Sequence, residues 1–158
     1  MNKERSAARK KWQREISAGG VVYKKEDGQI FVLLIQGRQK NFGPPSGKWA
    51  FPKGWVGDHA GEKPEETALR EVREEGGVEA KIAAKLGASK YVFRWQGENI
   101  FKIVQWYLME YVAGDPADHD EEVAEARWVE AAAAANMLTF AEDKTTLQKA
   151  LTILKDLN

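Results

Sequence analysis

From Ile16 to Lys24 the chain reads ISAGGVVYK, and from Ile30 to Ile35 it runs IFVLLI without a polar break. The first stretch predicts a strand that begins on small residues. The second predicts a strand covered on both faces, because an unbroken apolar run leaves no side for water. Gly28, in Glu26-Asp27-Gly28, punctuates the turn between them. Residues 37–48, centred on Gly43-Pro44-Pro45-Ser46-Gly47, read as a loop, and Trp49-Ala50-Phe51 as a short apolar run that ends at Pro52. Pro64 suits the first position of a helix with Glu65 and Glu66 in its first turn, and the Gly76-Gly77 pair suits its end. At about 100° per residue, Ala68, Leu69 and Val72 share one arc of that helix, Glu71, Glu74 and Glu75 a second, and Glu66, Arg70 and Arg73 a third. Lys81–Trp95 and Asn99–Tyr111 then predict strands, 114–120 an acidic loop, and Ala126–Val129 a last short strand. Glu130–Asn136 and Glu142–Leu157 predict helices, the second with a stripe of Leu147, Ala150, Leu151, Leu154 and Leu157. Strands interleaved with one early and two late helices give an α/β fold, a mixed sheet between helical layers.

A length of 158 residues suits one domain with a sizeable core. With no cysteine there is no disulfide framework, no zinc–thiolate site and no thiol nucleophile, which fits a reducing, cytoplasmic setting. The 24 basic and 24 acidic residues cancel, so no global field draws the protein to nucleic acid or to a membrane surface. Local charge is less even. Residues 1–15 carry Lys3, Arg5, Arg9, Lys10, Lys11 and Arg14 against Glu4 and Glu15, and are expected to form a basic N-terminal arm ahead of a single domain over 16–158. That arm has no apolar segment of a secretory signal, and no run is long enough to span a bilayer.

The candidate chemistry lies on the early helix. Like charges at i, i+3 and i+4 repel, so Glu71, Glu74 and Glu75 crowded on one face are explained most simply by a bound divalent cation. Hard oxygen donors suit Mg²⁺ or Mn²⁺.

Glu62, Arg70-Glu71-Val72-Arg73-Glu74-Glu75-Gly76-Gly77-Val78 and the upstream Phe51-Pro52-Lys53-Gly54-Trp55-Val56 together resemble the signature of the Nudix hydrolase family. From Glu62 to Val78 the match has no exception, whereas seven residues separate Gly54 from Glu62 where the family pattern has five, with the insertion in Gly57-Asp58-His59-Ala60. The resemblance implies an α/β/α sandwich and Mg²⁺-dependent cleavage of a pyrophosphate in a nucleoside diphosphate linked to another moiety. It implies Glu71 and Glu75 as metal ligands and catalytic groups, Glu74 as a ligand through water, and Glu62 as a brace in the loop. Arg70 and Lys53, with Gly54 beside it, are candidate substrate contacts, Arg70 also being placed to orient Glu62 or Glu74. A distant acidic loop supplies a base in many members. Others use a signature-helix glutamate; the loop option points to Glu122, six residues before Trp128, as base and as a further metal ligand, with Glu121 and Glu125 as rivals. Retention of every signature carboxylate argues against a binding module that has lost catalysis.

Substrate choice is less legible. Tyr91, Phe93 and Trp95 alternate, so they share one strand face, and Tyr91 and Trp95 are candidates to stack on a base. Arg38, Lys40 and Lys48 in the 37–48 loop offer positive charge to a polyphosphate. The FPKGWV, YVF, WYLMEY, EARWV and LTF stretches are similar to dinucleoside polyphosphate (Ap4A and Ap6A) hydrolases. Sanitising of nucleoside triphosphates such as 8-oxo-dGTP is the nearest competitor, followed by ADP-ribose and nucleotide-sugar hydrolysis. The expected partner is thus a nucleotide, and nothing in the chain fixes an oligomeric state.

Overall fold

β1 (Gln13–Glu26) organises the molecule. In the computed structural model, which describes residues 13–40 and 42–157, one edge of β1 runs parallel to β6 (Glu98–Gly114), from Gln13↔Ile100 to Tyr23↔Glu110. Its other edge pairs antiparallel first with β4 (Lys53–Trp55) and then with β2 (Gln29–Arg38). β2 in turn carries β3 (Pro45–Ala50) and, on its far edge, β7 (Glu125–Glu130), while β5 (Val78–Trp95) closes the other end against β6. The result is a seven-stranded mixed sheet. α1 (Pro64–Gly76) covers one face; α2 (Ala131–Met137) and α3 (Ala141–Asp156) cover the other. This is the expected α/β/α sandwich.

β2 shows why its apolar run is unbroken. Leu33 and Ile35 pack with Val72 and Ala68 of α1, while Val32 and Leu34 pack with Leu138 and Leu147 on the opposite side. Burying side chains of this size stabilises by about 1.5–3 kcal/mol each. The helix arcs also hold: Ala68 and Val72 are fully buried, and Gly77, at φ 75°, ends the helix by donating its N–H to the Arg73 carbonyl. Asp27 and Gly28, at φ 51° and 79°, make the tight turn between β1 and β2.

Three expectations change. The loop read over 37–48 is shorter, because β2 continues to Arg38 and Pro45–Ala50 pairs with it as β3. Its Pro and Gly hid the strand, which lies at the sheet margin where such residues are tolerated. β5 starts at Val78, directly after the helix, and three register shifts against β6 blur its alternation. Of the basic stretch, residues 1–12 lie outside the described residues, and Gln13-Arg14-Glu15 already belong to β1.

Candidate active site

β4 and α1 build the site together. β4 is pinned to β1 through Ala18↔Gly54 and Gly19↔Lys53, which lays its backbone across the carboxylate arc of the helix. The Lys53 N–H donates to Glu75 Oε1 at 2.8 Å. Gly54 sits against the Glu71 carboxylate, where any Cβ would collide with it. Gly54 is thus required by close approach, and the strand presses directly on both acids.

Arg70 ties the remaining acids to the same point. Its Nε and Nη2 donate to Glu62 at 2.9 and 3.0 Å, and its Nη1 to Glu71 at 2.9 Å and to Glu74 at 3.1 and 3.3 Å. Glu62 also accepts from the Thr67 hydroxyl at 2.7 Å. The longer loop before Glu62, with Gly57 and Gly61 at φ 105° and 77°, therefore leaves this brace intact. Arg70, expected among the substrate contacts, spends its donors on carboxylates and orients them, as the bidentate geometry of guanidinium suits.

Glu71 is buried, Glu75 partly so, and Glu74 is exposed. Burial pushes the Glu71 carboxyl up to about 7 against the pull of Arg70. It pushes Glu75 up to about 8, with the charge of Glu71 adding to the effect and Lys53 opposing it. Two acids one turn apart, both resisting ionisation, favour an added cation. Among the described residues no three acidic or imidazole groups form a finished cage. Mg²⁺ itself keeps several waters and is bound through one or two carboxylates plus substrate phosphates. On donor type, spacing and electrostatics the residues fit such an ion.

The acidic loop reaches this cluster through Asp120. Its N–H donates to the Glu74 carbonyl at 2.8 Å, at the end of α1, and its charge is felt by Glu75. Glu122, expected here from its offset to Trp128, is exposed, and its backbone N–H is capped by Asp120 Oδ1 at 3.1 Å. Glu125 pairs with Arg127 at 2.7 Å, and the Glu121 carbonyl accepts from Arg38. Asp120 is thus the loop acid whose backbone meets the end of α1, two residues before Glu122.

A cleft of about 550 Å³ opens at Glu75, lined also by Lys53, Lys48, Arg38 and Phe140 among others. Arg38 contributes less free charge than expected: its guanidinium donates to the carbonyls of Glu121, Gly43 and Val123, clasping the 39–44 loop to the acidic loop. A smaller recess of about 160 Å³ adjoins the cleft, sharing Lys53 and Phe140 and adding Tyr91, Phe93 and Lys102. Tyr91 is thus brought to the site. Trp95 is 60% exposed near the β5–β6 turn and lines neither hollow. Phe140 and Lys102 were not expected at the site; Phe140 stands in the Leu138-Thr139-Phe140 stretch that carried the resemblance, whereas Lys102 gives no signal in the sequence.

Comparison with known proteins places this geometry. The NUDIX domain family matches residues 13–150. A Mycobacterium tuberculosis protein described as "Putative mutator protein MutT4" is 36% identical over 142 residues, 89% of this chain; the chain spans only 56% of that relative's length. An Ap4A hydrolase from C. elegans, solved as a binary complex, superposes with a TM-score of 0.65 at 26% identity, over 90% of this chain and 98% of its own. The NUDIX domain of Shewanella oneidensis NrtR, complexed with ADP ribose, shares the fold with a TM-score of 0.68 at 21% identity, over 90% and 89% of the two chains. With its family match running through the sheet, the signature helix and most of α3, the chain belongs to the Nudix family.

Proposed function

We propose that the chain hydrolyses a pyrophosphate linkage in nucleoside diphosphate derivatives, using Mg²⁺ or Mn²⁺, and that dinucleoside polyphosphates of the Ap4A and Ap6A type are its substrates. The observation that carries this reading is that Glu75 and two lysines, Lys48 and Lys53, line one cleft of about 550 Å³. That size lies within the range of ligand pockets, and anion-binding groups stand beside a cation-binding pair.

In this reading Glu71, Glu74 and Glu75 would hold the metal, while Arg70, braced by Glu62, fixes their orientation. Bound there, a divalent cation would neutralise phosphate charge and lower the pKa of a water. Lys53 and Lys48 bind the polyphosphate, and Gly54 lets the strand approach Glu71. Asp120 takes the place of Glu122 as the loop acid that completes the carboxylate set. Positioning dominates, since phosphoryl and nucleotidyl transfer need little covalent work from the protein. Tyr91 offers a ring to a base; Trp95 lies outside this arrangement.

The likeness to the Ap4A hydrolase supports the substrate class, and the likeness to the mutator protein supports a second reading, hydrolysis of nucleoside triphosphates such as 8-oxo-dGTP. A panel of Ap4A, Ap5A, Ap6A, dGTP, 8-oxo-dGTP and ADP-ribose with Mg²⁺ separates them. The expected outcome is kcat/KM for a dinucleoside polyphosphate about tenfold or more above the others. A reversed preference for dGTP or 8-oxo-dGTP selects the second reading, and a preference for ADP-ribose defeats both.

A further inference from the structure

Asp143 is the most poorly accommodated charged group described. It lies in the first turn of α3, is 1% exposed, and has no hydrogen-bond partner at either carboxylate oxygen among the described residues. Thr146, one turn along α3, is engaged elsewhere, its hydroxyl donating to the Glu142 carbonyl at 2.9 Å. Removing a carboxylate from water without partners is costly.

Asp143 meets the recess through Phe140. The Asp143 N–H donates to the carbonyl of Phe140, which lines both hollows. Lys53 leaves β4 on this side: a Cβ added to Gly19 would meet Lys53 Cβ and the Trp106 ring, whereas the adjacent Gly54 faces Glu71. Burial pushes the Asp143 carboxyl up to about 6 while the Lys53 charge pulls it down. The Tyr91 hydroxyl is raised to about 12 by burial and then by Asp143. Lys102, on the recess wall, has its amine pushed down by burial and then by Lys53, so two cations share a space that an anion would relieve. Lys53 thus has its backbone against Glu75 and its side chain leaving β4 on the side away from Glu71, where the Asp143 charge acts on it.

We propose that Asp143 is a positioning residue whose buried charge draws the Lys53 ammonium into the recess beside Lys102, where both meet the anionic chain of a bound polyphosphate. The inference rests on reading the cleft as a polyphosphate site. A long flexible ammonium stem takes its direction from its counter-charge, and without Asp143 the nearest alternative is the carboxylate set on the other side of β4.

A double-mutant cycle on the full chain tests this. Calorimetry with inorganic tripolyphosphate and Ca²⁺ gives Kd for wild type, Asp143→Asn, Lys53→Met and the double variant, without needing turnover. Asp143→Asn is expected to weaken binding about tenfold and to add nothing in the Lys53→Met background, with Tm unchanged or higher because a buried charge is removed. Additive losses, or an Asp143→Asn variant that binds like wild type, overturn the proposal, as does a wild type that takes up no tripolyphosphate. Coupled losses in a protein that cleaves no nucleotide would overturn the functional reading alone.

Discussion

Glu75→Gln is expected to lower Mg²⁺-dependent hydrolysis by about three orders of magnitude or more while leaving the fold in place. The amide keeps the shape and still accepts the Lys53 N–H through its oxygen, but it brings no charge to a metal. A loss of that size corresponds to about 4 kcal/mol of transition-state stabilisation. The thermal midpoint of the metal-free variant should not fall, since Glu75 resists ionisation where it stands: burial, then Glu71, holds its carboxyl up at about 8. Steady-state kinetics on the preferred member of the substrate panel, with circular dichroism as a control, checks both parts. Turnover within a few-fold of wild type would remove Glu75 from the metal site.

Arg70→Ala is expected to cost stability as well as activity. Arg70 and Glu62 have side chains only 11% and 12% exposed, and their two hydrogen bonds are 2.9 and 3.0 Å long. Deleting one partner of a buried pair leaves the other uncompensated, at about 3–5 kcal/mol. For a domain of this size that lowers Tm by roughly 10 °C. Arg70 holds the Glu62 carboxyl near 2, well below its ordinary 4.5, chiefly through their hydrogen bonds. A depressed carboxylate stabilises the fold above its unfolded pKa and loses that contribution as pH falls through the folded one. The stability gap between wild type and Arg70→Ala should accordingly be full at pH 7 and narrow as pH drops from about 4.5 toward 2. Denaturant unfolding across that range measures it, and a gap that widens in acid would contradict the assignment. Arg70→Lys should recover only part of the loss, because an ammonium cannot serve Glu62, Glu71 and Glu74 with one planar fork.

The sequence disclosed most about groups whose chemistry is local. The spacing of Glu71, Glu74 and Glu75 on one turn, the apolar run of β2 and the glycine stop after α1 each follow from a period or a conformational demand, and the structure keeps all three. Arg70 was legible as an organiser, because its distance from Glu62 and Glu74 along the chain can be read directly. What was hidden depends on contacts between distant segments. Asp120 meets α1 only because the chain turns after β6 and brings its N–H to the Glu74 carbonyl. Arg38 reads as a free charge until the fold presents it with the carbonyls of Gly43, Glu121 and Val123. Alternation put Tyr91 and Trp95 on one face, correctly, yet the distance along β5 decides that only Tyr91 borders the recess. Asp143 was invisible because a lone acid near a helix start is ordinary; its burial without partners appears only in three dimensions.

Hydrolysis by the proposed route requires Glu71 and Glu75 to act as a divalent-metal pair. Titrating Mn²⁺ into the protein and following the free-ion signal by electron paramagnetic resonance tests it without a substrate. Wild type should bind Mn²⁺, and Glu71→Gln and Glu75→Gln should each weaken that binding about tenfold or more. Equal Mn²⁺ affinity in wild type and both variants would contradict the account.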